Sequence, residues 1–539
     1  MEKEGKVSER VALKFFLPSL SLGLGKQAMI KQDQASLMNL SLSLRLGLMP
    51  ALLLSVSSCS LYDGACVLGR MALERRTLLP IPEAGCTDVS RLHELHQPAR
   101  VLKLSSNPDS AEQELREFLR EAQVKKAHVS IAGARHSMGG QTLGQSGCYT
   151  VDMLGLDDIG PVFAEGSRRW VTVEAGARWK DIVPELRKQG YAPKIMQSNS
   201  DFSVGGSLSV NCHGWQHNSE PIASTVKSIR VMTADGRLLL CSREKEKELF
   251  SLVLGGYGLF GVILEATLEV IPDSYYQAES QRVPPAQYVK TFESMTQAEW
   301  DGMAYGRISV APSSFLEDSV VSVLRPVPPP LKSERSLVPA SWLLSVKRGV
   351  FRNAVGSDRG KDFRWAMETR YGETGGGILR RSDILSEPAS LYGNRDPKAT
   401  EILHEYFVPK ERLADFLETM KGIHREGDCP DLLNITVRNV KTDRITHLRY
   451  ARQEVFGLVM LFHQHCGSTE DEQQMIRYTQ RMIDAVLACG GTFYLPYRLH
   501  ARLDQFDQAY PNARTFFALK RQYDPHELFQ NQLYQRYAR

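Results

Sequence analysis

Ala132-Gly133-Ala134-Arg135-His136-Ser137-Met138-Gly139-Gly140-Gln141 is the stretch on which the reading of the fold turns. It is made almost wholly of small residues. It follows a short apolar run, His128-Val129-Ser130-Ile131, that reads as a buried strand. Successive backbone N–H groups in such a loop form an anion-binding nest, and small side chains let the backbone approach its guest closely. A diphosphate suits that geometry. Arg135 and His136 stand in the middle of the loop, and the plainer alternative is a tight turn with a surface histidine.

A second loop strengthens the ligand reading. Asp201-Phe202-Ser203-Val204-Gly205-Gly206-Ser207-Leu208-Ser209-Val210-Asn211-Cys212-His213-Gly214 is again small, polar and glycine-rich. Two such loops point to one extended ligand with a charged centre, and a dinucleotide fits. A literal GxGxxG occurs at Gly256-Tyr257-Gly258-Leu259-Phe260-Gly261. It follows a helix-like segment and precedes a strand-like one, the reverse of a nicotinamide-dinucleotide fingerprint. These glycines are expected instead to let the backbone pass close to a flat ligand.

Working outward, Ser110 and Gln113 fit a capping box, and Leu115, Phe118, Leu119 and Ala122 follow at helical spacing. The pattern predicts a strand over Val171–Gly176 and a helix over Trp179–Gln189 that stops at Gly190. Val226–Thr233 and Arg237–Cys241 flank Ala234-Asp235-Gly236 as a hairpin, and the charge run Glu244–Glu248 reads as a solvated helix face. Val262–Val270 alternates as a strand, and Pro272 closes this block. Residues 326–346 are proline-rich and read as a loop. Helices are then expected over Lys410–Ile423 and Asp471–Ala488, with strands around Asn434–Val437 and Val455–Phe462. Strands alternating with long helices suit an antiparallel sheet covered by helices.

The 539 residues carry a net charge of +4, with 42% hydrophobic and 24% charged residues. That is a globular composition, and the charge is too weak and too scattered for nucleic acid. The nine cysteines form no CxxC pair. His463 and His465 share a strand face but have no third partner, so no metal site is expected. Near the N-terminus, Arg45 precedes an apolar run from Leu46 to Ser58 that ends in small residues and Cys59. This is the layout of an export signal with an acylatable cysteine, and the run is too short to span a bilayer. An uncleaved anchor and an untargeted tail are the alternatives, and Met38 is an alternative start. The expected location is the cell envelope, membrane-associated through the N-terminus, with the cytoplasm as the alternative.

Taken in order, these motifs resemble the vanillyl-alcohol oxidase family of PCMH-type FAD-binding oxidoreductases. The resemblance rests on the loop at 132–141 and on the run from Ser203 to Gly214. It continues through Thr233-Ala234-Asp235-Gly236, Leu249-Phe250 and Gly255–Ile263 to Tyr523-Asp524-Pro525-His526-Glu527-Leu528-Phe529. It implies an α+β fold, with a two-part PCMH-type FAD-binding domain and a substrate domain whose antiparallel sheet is covered by helices. Residues 1–87 would be leader and tether, 88–275 the FAD-binding domain, 276–490 the substrate domain, and 491–539 a segment returning to the FAD domain. FAD would lie against residues 132–141, Ser198, Ser203, Val204, Gly205, Gly206, Ser209, Asn211, His213, Gly258 and Ile263. His136 falls where many members attach the flavin covalently, and Arg135 stands where glycine is usual. A cysteinyl link is not expected, because Gln197-Ser198-Asn199-Ser200 precedes the second loop and Cys212 comes too late.

Within the family the chain is most similar to sugar, alditol and aldonolactone oxidases, in the manner of D-arabinono-1,4-lactone oxidase. Cytokinin dehydrogenases share the early loops, but their catalytic Asp would fall at Ser198. The implied reaction is oxidation of a CH–OH group by hydride transfer to flavin N5, with O2 or a quinone as acceptor. Glu405 matches the Glu-bearing strand of the alditol and lactone oxidases, though Phe407 stands where they often carry Arg. Arg438 is the candidate replacement cation. Arg498 and His500 fall at the family's C-terminal substrate motif, and alternation would put both on one face. Two other readings stand beside this one: a flavin-dependent C=C reductase, and a non-catalytic flavin-binding surface lipoprotein.

Overall fold

Asn107 starts the helix that precedes the 132–141 loop. Its side chain accepts a hydrogen bond from Ser110 N at 3.1 Å, and Pro108 occupies the first helical position. The capping box expected at Ser110 is thereby corrected: Ser110 lies inside the first turn, and the asparagine caps. Helix α1 (Pro108–Lys125) buries Ala111, Leu115, Phe118, Leu119 and Ala122, the face read from the periodicity. Each large apolar side chain so buried contributes about 1.5–3 kcal/mol.

The computed structural model describes residues 60–73, 79, 83–93, 97–296, 302–330, 341–371 and 377–538. The export and acylation readings at residues 46–59 lie outside them. Among the described residues, no helix is long and apolar enough to cross a membrane. Residues 66–539 form one compact unit.

The described strands fall into three sheets. The first is parallel, in the order β1 (Arg100–Lys103), β3 (Tyr149–Asp152), β2 (Val129–Ala132). Strand β2 delivers the 132–141 loop from its carboxyl end, where parallel strands characteristically present ligand loops.

The second sheet is antiparallel and contains β4 (Phe163–Glu165), β5 (Arg168–Glu174), β6 (Tyr191–Pro193), β7 (Val226–Met232), β8 (Leu238–Ser242) and β9 (Val262–Pro272). Helix α2 (Trp179–Lys188) ends before Gly190, whose φ is 83°. Three expectations change here. The second glycine-rich loop contains a short helix, α3 (Val204–Ser209). The charge run at 244–248 lies mostly ahead of helix α4 (Lys247–Val253). Strand β9 forms where expected but is buried over most of its length, at successive positions rather than alternate ones.

The third sheet has eight antiparallel strands, in the order β13-β10-β12-β11-β15-β16-β14-β17. They are β10 (Tyr275–Val283), β11 (Met303–Ile308), β12 (Ser319–Val327), β13 (Ile378–Arg380), β14 (Ala399–Pro409), β15 (Asp431–Val440), β16 (Val455–His465) and β17 (Thr492–Phe493). Helices α5 (Ser341–Asn353), α6 (Asp358–Tyr371), α7 (Leu413–Arg425) and α8 (Thr469–Ala488) belong to the same stretch of chain. The loop expected over 326–346 therefore gives way to helix at Ser341. This mixture of helices with largely antiparallel sheets is the α+β class.

Candidate FAD and substrate site

The first loop is pinned at both ends and open in the middle. Ala134 N donates to Ser203 Oγ (3.3 Å), Met138 N to Pro496 O (2.8 Å), and Gly140 N to Asp88 Oδ2 (3.0 Å). Between them, the backbone N–H groups of Arg135, His136 and Ser137 have no partner among the described residues. The Ser137 hydroxyl is also buried without one. Consecutive unpaired donors of this kind are available to an anionic ligand. Arg135 has a φ of +60°, a conformation that costs a non-glycine residue roughly 1–2 kcal/mol. That explains the usual glycine at this place. Here the guanidinium reaches buried Asp152 at 3.2 Å, which offsets part of the strain.

The two glycine-rich loops meet edge to edge. A Cβ on Gly133 would lie 2.2 Å from Ser203 Oγ, so a side chain there would displace the hydroxyl that accepts from Ala134 N. The His136 ring stacks on Phe202 at 4.4 Å. Desolvation pushes its imidazole down to about 4 against the pull of Asp201, leaving it neutral at pH 7. Burial pushes the Cys212 thiol up to about 12, so it is an inert group in the wall.

Both loops open onto a cavity of about 740 Å³. Of the residues expected around the cofactor, Gly133, Ala134, Arg135, His136, Ser137, Met138, Gln141, Ser198, Ser203, Gly205, Gly206, Ser209, His213, Gly258 and Ile263 line it. Ala132, Gly139, Gly140, Val204 and Asn211 do not. Gly140 turns the chain with a φ of +72°, against Gln532. Asn211 is a strut, with its amide donating to Asp443 Oδ2 (3.0 Å) and its oxygen accepting from Ala223 N (3.1 Å).

The third sheet supplies the opposite wall. Glu405 on β14 and Arg438 on β15 both line the cavity. Glu405 is only 2% exposed, and its Oε1 lies 2.8 Å from His213 Nε2. The Tyr497 hydroxyl donates to Glu405 Oε2 at 3.4 Å. Burial and the Glu405 charge hold the Tyr497 phenol well above its ordinary range, so it remains a donor. Arg438 donates to Ser198 Oγ at 2.8 Å, and no carboxylate pairs with it among the described residues. The carboxylate and the unpaired cation thus face the same space.

Arg498 and His500 are placed elsewhere. The chain leaves strand geometry after Phe493, so alternation no longer governs them. Both contact Glu472 on α8: Arg498 pairs with its Oε1, and His500 Nε2 lies 3.1 Å from that oxygen. Burial works against the Glu472 carboxylate, but His500 and Arg498 outweigh it and hold the group well below its usual range. Neither Arg498 nor His500 lines the cavity.

Residues not singled out in the sequence complete the wall. Asn434 and Thr436 line it with Arg438, at alternate positions of β15. The two-residue period of that strand carried the signal. Arg307 donates to Thr436 Oγ1 (2.9 Å), and Arg307 and Arg364 share Glu368. Tyr497, Trp215 and Glu401 line the cavity as well.

Residues 108–242 match the family model described as an FAD binding domain. The chain is 31% identical over 220 residues to cytokinin dehydrogenase 3 of Oryza sativa subsp. japonica, covering 40% of this chain and 41% of that one. It is 29% identical over 191 residues to D-arabinono-1,4-lactone oxidase of Yarrowia lipolytica, covering 35% of each. It is 30% identical over 171 residues to L-gulonolactone oxidase of Bos taurus, covering 32% of this chain and 38% of that one. The matched stretches span less than half the length of these relatives. The nest of unpaired N–H donors and the close approach of the two glycine-rich loops at Gly133 fit the cofactor that the family model names. Residues 108–242 of the chain are an FAD binding domain.

Proposed function

We propose that the protein is an FAD-dependent oxidoreductase that oxidises a CH–OH group of a sugar, alditol or aldonolactone, with O2 or a quinone as terminal acceptor. The observation that carries this reading is the single cavity shared by the open 135–137 nest, Glu405 and Arg438. When bound, FAD supplies the two-electron acceptor for the substrate carbon. The loops at 132–141 and 198–213 hold it, with the diphosphate at the Arg135–Ser137 donors. Residues 88–275 and 491–539 together make its domain, and 276–490 the substrate domain. Glu405 accepts the substrate hydroxyl proton, His213 and Tyr497 hold its carboxylate in place, and Arg438 supplies positive charge beside it. The sequence at residues 45–59 supports a membrane-tethered location in the cell envelope, where a quinone is a natural acceptor.

The lactone oxidase relatives favour a hydroxyl donor, and the cytokinin dehydrogenase relatives favour a C–N donor. Ser198 supports the former, because it is neutral and already bonded to Arg438. Anaerobic titration of the yellow protein with alditols, aldonolactones, simple sugars and an N6-isoprenyl adenine separates them. Bleaching by one of the first three classes is the expected result. Bleaching by the adenine alone would replace this reading with amine oxidation, and by NADPH alone with a C=C reductase. No bleaching by any donor would leave a flavin-binding module.

His136 is neutral and faces the cavity, as an imidazole must to form a covalent bond to the flavin ring. The wild-type band is therefore expected to fluoresce as a flavoprotein on a denaturing gel, and His136→Ala to lose that fluorescence entirely. A fluorescent His136→Ala band would refute the linkage.

A further inference from the structure

Gly457 lies in the middle of β16, paired with Arg438 on β15 and with Phe407 on β14. Its backbone gives no reason for glycine, since it is ordinary strand with no positive φ. A glycine inside a strand weakens it and characteristically marks a close approach by another group. The approaching group here is Glu405. The cross-strand partner of Glu405 is Val459, two residues along β16 from Gly457. A Cβ on Gly457 would lie 2.8 Å from Glu405 Oε1 and 3.0 Å from Phe407 Cε1, the first closer than real Cβ atoms come. The carboxylate therefore leans diagonally across the sheet, into the gap left at 457 and toward the strand that carries Arg438. His213 meets the same oxygen, Oε1, at 2.8 Å.

We propose that Gly457 is a positioning residue: its missing side chain is the clearance that lets the Glu405 carboxylate sit between His213 and Arg438, over the cavity. A methyl group at 457 drives the carboxylate back toward Val459 and away from the substrate. The inference rests on Glu405 acting as the proton acceptor.

The test uses the full-length, FAD-loaded protein and the best substrate from the donor panel. Gly457→Ala is expected to lower the rate of flavin reduction by about 10-fold to 100-fold, the scale of a 1 Å misplacement, while KM changes little and FAD content stays the same. Two second-site variants identify which contact is responsible. E405D shortens the side chain, so adding Gly457→Ala in that background is expected to cost less than about 2-fold. F407L removes the ring contact instead, and restoration of the rate by F407L would overturn the proposal. So would a Gly457→Ala protein with wild-type turnover. The same two pairs are read by folded yield and thermal midpoint, independently of activity. Destabilisation relieved by E405D supports the contact, and destabilisation relieved by F407L or by neither refutes it. A wild type that no donor bleaches would sink the functional reading yet leave this stability cycle decisive.

Discussion

Replacing Glu405 by glutamine is expected to slow flavin reduction by about 100-fold to 10,000-fold, the usual contribution of a positioned general base. The substitution is nearly isosteric, so packing should survive it. The amide oxygen can still accept from Tyr497 and face His213, so the wall of the cavity keeps its shape. What disappears is the capacity to take the hydroxyl proton. Glu405 lines the same cavity as the Arg438 guanidinium, and it is almost wholly buried. The other acidic wall residue on the same strand, Glu401, is already committed to Arg352 (2.7 Å) and to His463 (3.0 Å). The measurement is single-turnover reduction under anaerobic conditions, which separates chemistry from product release. Substrate affinity should change little, because the loss falls on the transition state. A rate for Glu405→Gln within a few-fold of wild type would remove Glu405 from the mechanism and turn attention to His213.

The cofactor loops were legible because their chemistry is written in composition. A nest needs small residues in succession, and that signal survives without any knowledge of tertiary contacts. The wall residues on β14 and β15 were half legible. Glu405 and Arg438 came from resemblance and strand reading, whereas Asn434 and Thr436 needed the period of β15 to be carried two steps back. Arg498 and His500 show where alternation fails, since it presumes a strand and the strand ends at Phe493. The Arg498 guanidinium and the His500 ring meet Glu472 instead of facing a ligand. Gly457 was invisible in the sequence for a different reason. A glycine demanded by its own backbone leaves turn signals around it, but one demanded by a neighbour's carboxylate looks like any other strand residue. Asn107 illustrates the same limit locally: two polar residues competed for one cap, and the spacing to Pro108 decided it.

Asp524→Ala is expected to destabilise the fold by about 3–5 kcal/mol, the scale for breaking one side of a buried ion pair. Lys520 is fully buried and Asp524 is 1% exposed, and the ammonium bonds directly to the carboxylate. Burial pushes the Lys520 ammonium below its ordinary value, against the pull of Asp524. The same carboxylate accepts from Leu528 N and Phe529 N, each at 2.9 Å, so it also folds the segment that follows. That segment reaches the cofactor loop. Leu528 O accepts from Val129 N (2.7 Å), Val129 O from Gln530 N (3.0 Å), and Gly140 O from Gln532 N (3.3 Å). The motif that looked like a family signature near the C-terminus is thus the clamp on β2 and its loop. Losing the carboxylate should therefore weaken FAD retention as well as stability. Equilibrium denaturation and FAD release, measured together, check both. The control is the double variant Asp524→Ala with Lys520→Met. Removing both charges spares the buried ammonium its unpaired state, so the double variant should regain part of the lost stability. It should not regain FAD retention, because the backbone N–H groups of Leu528 and Phe529 still lack their acceptor. A single variant that loses less than about 1 kcal/mol, within the range of an ordinary exposed pair, would show that the clamp does not depend on this charge.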